Sequence, residues 1–121
     1  MTKIAITTDD GETISSHFGQ ARYFKVVSIG DREQGSSEMR EKALHQHGQA
    51  VSGAVHPGQA MVDAISDCQV LITGGMGAPV YQRALAKNLQ VILTGEKKID
   101  RALESYQNGT LASDERRIHM H

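Results

Sequence analysis

The chain has 121 residues, with 13 basic and 14 acidic side chains and a formal net charge of −1. This length suits one compact domain, and a near-neutral charge without a basic stripe argues against a nucleic-acid surface. The longest apolar run is far shorter than the roughly 20 residues of a membrane helix, and no signal peptide is visible. We therefore expect a soluble cytoplasmic protein that binds neither nucleic acid nor membranes.

Cysteine and histidine are out of proportion, because the chain has a single cysteine, Cys68, and six histidines. One cysteine excludes an internal disulfide and any four-thiolate zinc or iron–sulfur site within one chain. If the protein binds a metal, imidazoles must therefore supply many of the ligands.

The first half of the chain contains three predicted strands. Residues 3–8 are typical of a buried strand, residues 22–29 of a second strand, and residues 36–44 of a weaker third. Between residues 44 and 57 the hydrophobic pattern disappears among glycines and histidines. A loop of this length in a small domain is usually functional or disordered.

The second half alternates helices and strands. Helical spacing follows Pro57 and Pro79 and recurs over Ile99–Gln107, while residues 70–73 and 91–94 are apolar strands. The order β-β-β-α-β-α-β-α predicts an α/β domain with a mixed five-stranded sheet and helices on both faces. We expect this domain to occupy residues 1–111, followed by a frayed polar tail over residues 112–121.

The predicted topology brings several loops to one edge of the sheet, at the carboxyl ends of the parallel strands, where open α/β sheets bind ligands. We call it the carboxyl edge. Cys68 precedes the fourth strand and should lie at the opposite edge, where we interpret it as a buried, inert side chain. The candidate site residues on the loops of the carboxyl edge are His17, His45, His47, Gly74, Gly75 and Gly77.

The sequence Gly74-Gly75-Met76-Gly77 follows a strand and precedes a helix. Backbone N–H groups at such a junction suit an anion, but glycines there can also serve only to let a tight turn pack. Gly75 and Gly77 partly match a dinucleotide fingerprint, in which Val80 replaces the third glycine and Glu96 stands near the place of the ribose-binding acid. Both interpretations of the turn remain open, and so does a nucleotide-binding module.

The histidines allow a metal site or a structural role. His45 and His47 lie on one side of an extended segment, as two metal ligands would, although a solvated histidine-rich loop would look the same. His17, beside Phe18, could contact a ligand or hydrogen-bond a turn. Asp9 and Asp10 are typical of a turn, and the sequence shows no Ser-His-Asp arrangement or activated cysteine, so we expect no enzymatic activity.

Taken together and in order, these motifs resemble the dinitrogenase iron–molybdenum cofactor biosynthesis family. The resemblance extends over about residues 3–111 and includes Asp9-Asp10-Gly11, Ser16-His17-Phe18-Gly19-x-Ala21-x-x-Phe24, His47-Gly48, residues 67–77, residues 91–95 and Ala102-Leu103-x-x-Tyr106-x-x-Gly109-x-Leu111. It implies a ribonuclease H-like three-layer domain without nuclease activity.

The resemblance also implies a function in nitrogen fixation or a related metallocluster pathway. The protein would be a non-catalytic carrier that transiently binds the iron–molybdenum cofactor or its iron–sulfur precursor. His17 with the three glycines would bind the cofactor, His45 and His47 would be metal ligands, and cofactor-biosynthesis or acceptor proteins would be the partners. The alternative is a nucleotide-binding or regulatory interaction module on the same fold.

Overall fold

The structure is a computed structural model that describes residues 2–19, 21–30, 34–41 and 61–119. Residues 61–63 are helical, and two further helices follow, α1 (Ala78–Ala86) and α2 (Ile99–Gln107). The strands are β1 (Thr2–Thr8), β2 (Tyr23–Ile29), β3 (Gln34–Glu41), β4 (Val70–Thr73), β5 (Met76–Gly77), β6 (Gln90–Leu93) and β7 (Ile118–His119).

Five of the strands form one mixed sheet in the order β3-β2-β1-β4-β6. Strand β2 runs antiparallel to both β1 and β3, whereas β4 runs parallel to both β1 and β6. The predicted mixed five-stranded sheet is therefore confirmed. The third strand starts at Gln34, two residues earlier than predicted, and residues 42–44 lie outside the described part.

The core lies on both faces of this sheet because the side chains of each strand alternate between them. On one face, Ala5 and Leu71 pack with three residues of the covering segments. Met61 is helical, Ile65 lies in the turn that follows residues 61–63, and Ala84 belongs to α1. The opposite face is covered by α2, and its buried residues include Ile4, Ile72, Ile92, Ile99, Ala102 and Leu103. Helices on both faces are therefore confirmed.

The helix ends follow local sequence signals. Helix α1 has Pro in its first turn, where the missing N–H costs nothing. Helix α2 ends at Gln107 with Asn108 as its C-cap, and the next residue, Gly109, has a φ of 75° in the left-handed region that favours glycine. Leu111 packs against the α2 face of the core, as the predicted glycine C-cap with its hydrophobic contact requires. No helix in the described ranges has the length and apolarity that a membrane crossing needs.

A frayed tail was expected over residues 112–121, but residues 113–119 of it form hydrogen bonds with the rest of the domain. Leu93 donates its N–H to Ser113 Oγ (3.1 Å) and accepts the N–H of Asp114 (2.8 Å). A 3₁₀ turn (Glu115–Arg117) and β7 follow, and β7 pairs in parallel with β5. The physical reason is that β6 lies at the end of the sheet order, where its outward N–H and C=O groups need partners.

At the opposite end of the parallel strands, which we call the amino edge, Asp67 forms an ion pair with Arg40 of β3. The Arg40 guanidinium donates to both carboxylate oxygens of Asp67 (2.7 and 2.8 Å) and to the carbonyl of Ala64 (3.0 Å). Chiefly through this bidentate contact, Arg40 holds the pKa of Asp67 well below its usual value. The contact joins β3 to the segment that precedes β4.

Candidate functional site at the carboxyl edge

Three loops meet at the carboxyl edge, as the topology predicted. The N–H of Gly74 donates to the carbonyl of Ser15 (2.9 Å), and the N–H of Phe18 donates to the carbonyl of Gly75 (2.8 Å). On the other side, the N–H of Ile14 donates to the carbonyl of Lys97 (2.8 Å). The loops after β1, β4 and β6 therefore form one hydrogen-bonded surface.

Two buried threonines support this surface from below. Thr7 and Thr73 are fully buried at the ends of the adjacent strands β1 and β4, with 2.7 Å between their hydroxyl oxygens. Thr7 Oγ1 also lies 3.4 Å from the carbonyl of Ser15, and Thr73 Oγ1 lies 3.3 Å from that of Gly75. Sequence analysis missed both residues because threonine is an ordinary strand residue. The available signal was a hydroxyl side chain at the carboxyl end of each of two parallel strands.

His17 is exposed on the loop after β1. Its N–H donates to Ser15 Oγ (3.3 Å), and its carbonyl accepts the N–H of Ala21 (3.2 Å). The neighbouring Phe18 is 1% exposed and packs against Phe24 with 5.5 Å between ring centroids. Burial of Phe18 thus anchors the loop. The adjacent His17, which is exposed, lies at the carboxyl edge beside the Gly74–Gly77 turn.

Gly74 has a packing role that the sequence left open. A Cβ at this position would lie 2.7 Å from Ser16 Cα and 2.8 Å from the Ser15 carbonyl oxygen, so only glycine lets the two loops approach this closely. The Gly74 N–H is also occupied by Ser15. The Gly74 N–H thus bonds within the protein, as the packing interpretation of the turn expects, and a role of Gly74 in ligand binding stays a prediction.

The rest of the turn keeps its predicted place. Gly75 is buried, and its carbonyl holds the loop that carries His17. Gly77 is the N-cap residue of α1, where a Cβ would meet only Pro79 Cδ at 3.8 Å. The positive end of a helix dipole therefore faces the carboxyl edge at Gly77. The structure thus brings His17, Gly74, Gly75 and Gly77 together.

The Asp-Asp-Gly sequence forms the predicted turn. Asp10 Oδ1 accepts the N–H groups of Thr13 and Glu12 (both 2.8 Å), and these hydrogen bonds lower the pKa of Asp10 to about 2. Asp9 accepts the N–H of Arg22 (2.9 Å), and Gly11 has a φ of 81°. Both carboxylates therefore stabilise the loop after β1.

The carboxylate of Glu96, the candidate ribose-binding acid, is hydrogen-bonded to the backbone of its own loop. Its carboxylate accepts the N–H groups of Lys97 (2.8 Å) and Lys98 (3.1 Å). These hydrogen bonds, led by that from Lys98, lower the pKa of Glu96. The carboxylate is thus already engaged at the entry to α2.

A depression of about 400 Å³ opens beside the loop after β1, toward the start of α2. Lys25 partly fills it and donates from Nζ to the carbonyl of Gly11 (3.0 Å). Its lining carries two lysines and two carboxylates and comprises Gly11, Glu12, Thr13, Lys25, Lys98 and Asp100. The balanced charge gives this depression no preference for an anion.

The remaining candidate ligands are not assembled in the described part of the chain. His45 and His47 lie outside the described residues. Within residues 2–19, 21–30, 34–41 and 61–119, no three His, Cys, Asp or Glu side chains are grouped to hold a metal ion. Cys68 lies at the amino edge, is 5% exposed, and has its pKa raised to about 11, mainly by burial. Its predicted burial is confirmed.

Comparison with known proteins gives a family and a fold. The family model described as dinitrogenase iron-molybdenum cofactor matches residues 1–109. No curated protein matches the chain.

Solved structures share the architecture. The apo form of the orange protein from Desulfovibrio gigas superposes with a TM-score of 0.74 at 20% identity, covering 94% of this chain and 93% of its own. The protein PH0822 gives 0.72 at 24% identity, with 93% and 95% covered. A protein of Methanocaldococcus jannaschii, provisionally described as a dinitrogenase, gives 0.68 at 20% identity, with 93% of each chain covered.

Proposed function

The chain belongs to the dinitrogenase iron-molybdenum cofactor family, and from this premise we propose that it is a non-catalytic carrier of an iron–molybdenum cluster or of its iron–sulfur precursor. The carrier would act in nitrogen fixation or a related metallocluster pathway, and would deliver its cargo to a cofactor-biosynthesis or acceptor protein. For the domain we propose the ribonuclease H-like class that the resemblance implies, with which the strand order β3-β2-β1-β4-β6 is compatible.

The observation that carries this proposal is the position of His17. Its imidazole is exposed at the carboxyl edge, on a loop that Phe18 anchors in the core and that hydrogen bonds join to the Gly74–Gly75 turn. Neutral imidazole binds transition metals, and a rigid loop holds it in place before cargo arrives. A single exposed imidazole suits reversible binding better than a closed cage does.

The glycine turn contributes shape and a partial positive charge. A metal–sulfur cargo is bulky and anionic, and the start of α1 at Gly77 presents the positive end of a helix dipole. Gly75 and Gly77 add no side chain that would block a bulky ligand. His45 and His47 complete the proposal as further metal ligands.

Anaerobic titration of the full chain with the isolated iron–molybdenum cofactor, followed by visible absorption, tests the proposal. We expect saturable binding by the wild-type protein. His17→Ala, His45→Ala and His47→Ala should each weaken binding because each removes a proposed ligand. Gln82→Ala, at an exposed position on α1, is the control and should bind like wild type.

Each negative result has a distinct meaning. No uptake of the cofactor or of its precursor by the wild-type protein would reject the carrier function. Wild-type affinity in all three histidine variants would reject the site while leaving the function. Binding of NAD or ATP that is indifferent to histidine loss would instead support the nucleotide-binding alternative.

A further inference from the structure

The C-terminal segment brings an arginine to the carboxyl edge. In the parallel pair of β5 and β7, Met76 lies opposite Ile118, which places Arg117 level with Gly75. The guanidinium packs directly on Gly95, in the loop after β6, where an added Cβ would collide with Nη2 and lie 3.1 Å from Cζ. Arg117 therefore lies beside the turn after β4 and over the loop after β6.

The hydrogen-bonding capacity of this guanidinium is not filled by its acidic neighbour. Arg117 Nε is buried and has no hydrogen-bond partner among the described residues, and the nearest Asp114 oxygen is 3.7 Å away. Asp114 is engaged instead by Arg116, at 2.9 Å from Nε and 3.2 Å from Nη2. Nε itself is buried, but the Arg117 side chain as a whole is 40% exposed, so its permanent positive charge can act on an anion at this edge.

We propose that Arg117 is an anion-binding residue of the carboxyl edge, which contacts the oxo or sulfido groups of a molybdenum-containing cargo. The inference rests on the carrier function proposed above and adds a residue to its site. Arg117 lies beyond residues 1–109, the range that the family model matches. Gly95 leaves room for the guanidinium, so the C-terminal segment adds a cation beside the loop after β6.

The physical argument favours arginine over a generic positive charge. A guanidinium is weakly hydrated and offers planar, paired N–H donors, which can contact two acceptors on one anion at once. Lysine would keep the charge but lose that paired geometry. Gly95→Ala would keep the arginine and its charge but displace the guanidinium from the loop.

The test is titration of the full chain with tetrathiomolybdate, a sulfur-coated molybdenum dianion, followed by visible absorption. We expect Arg117→Gln to weaken binding by about 10-fold or more, as for the loss of a charge-assisted hydrogen bond. Arg117→Lys and Gly95→Ala should weaken it less. The matched control is Arg101→Gln, which removes an exposed cation of α2 without releasing Asp114, and should leave the affinity unchanged.

The outcomes separate this proposal from the carrier function. Wild-type affinity in Arg117→Gln, or equal losses in Arg117→Gln and Arg101→Gln, would overturn the role of Arg117 and leave the carrier function intact. A wild-type protein that does not bind tetrathiomolybdate would also overturn it, whereas the carrier function is decided by the cofactor titration. Urea denaturation of each variant distinguishes lost binding from lost folding.

Discussion

Replacement of Gly74 by alanine tests whether the carboxyl edge depends on close contact between two loops. The added Cβ would lie 2.7 Å from Ser16 Cα and 2.8 Å from the Ser15 carbonyl oxygen. Both atoms belong to the backbone and cannot rotate away as a side chain could. The loop that carries His17 must therefore move as a unit.

The size of the effect follows from two contributions. Overpacking a closely packed site costs about 1–3 kcal/mol, and weakening the 2.9 Å hydrogen bond from Gly74 to Ser15 adds up to about 1 kcal/mol. We expect Gly74→Ala to lower the free energy of unfolding by about 2 kcal/mol, and the melting temperature of a chain of this length by roughly 8 °C. Urea denaturation with a shared slope measures the first quantity, and calorimetry the second.

Gly19→Ala is the matched control, because a Cβ on Gly19 would meet no atom within 4 Å among the described residues beyond its chain neighbours. We expect its free energy of unfolding to stay within about 0.5 kcal/mol of wild type. Equal stability of Gly74→Ala and Gly19→Ala would refute the packing role assigned to Gly74. If Gly74→Ala is destabilised but still binds the cofactor with wild-type affinity, the position of His17 does not matter for binding.

Three further predictions concern the amino edge, the cysteine and the C-terminal segment. Because Arg40 lowers the folded-state pKa of Asp67, the stabilisation from Asp67 is complete above its unfolded value of about 3.9 and is lost as the pH falls toward the lower folded value. Asp67→Asn should therefore lower the free energy of unfolding by about 1 kcal/mol at pH 7 for this partly exposed pair, and by less at pH 2. Urea denaturation at the two pH values measures this difference, and equal losses of stability at both would contradict this account. Burial raises the pKa of Cys68 from an ordinary 9.0 to about 11, which predicts a thiolate fraction on the order of 100-fold lower at pH 8 than in the unfolded chain. Reaction with a thiol reagent should accelerate on unfolding to a comparable extent, and an equally fast native reaction would refute the burial. Removal of residues 113–121 should lower the free energy of unfolding by about 2 kcal/mol, since it removes two hydrogen bonds from Leu93 and the packing of Ile118. Unchanged urea denaturation would mean that this segment does not protect β6.

Hydrophobic patterns were sufficient to predict the five main strands and their order along the chain. Ile4 and Ile6 recur with the period of a strand, residues 70–73 form a short apolar run, and right-handed crossover connections leave few ways to join strands through helices. The same reasoning placed His17 and the glycine turn at one edge, and Cys68 at the other. These features depend on local periodicity and chain direction, both of which can be read along the sequence.

Contacts between remote segments were decided only by the tertiary structure. Nothing in the sequence shows that Gly74 lies against the backbone of Ser15 and Ser16, because that distance depends on how two separate loops end. The pairing of β5 with β7 involves two residues on each side, too few to produce a periodic pattern, so the C-terminal segment looked frayed. Before β7, Ser113 and Asp114 hydrogen-bond to Leu93 on the open side of β6. That open side exists only once the sheet has formed. The sequence by itself thus determined that His17 and the glycine turn reach the carboxyl edge. Folding brought Arg117 to the same edge and engaged the Gly74 N–H within the protein, because both contacts join segments that are remote in the chain.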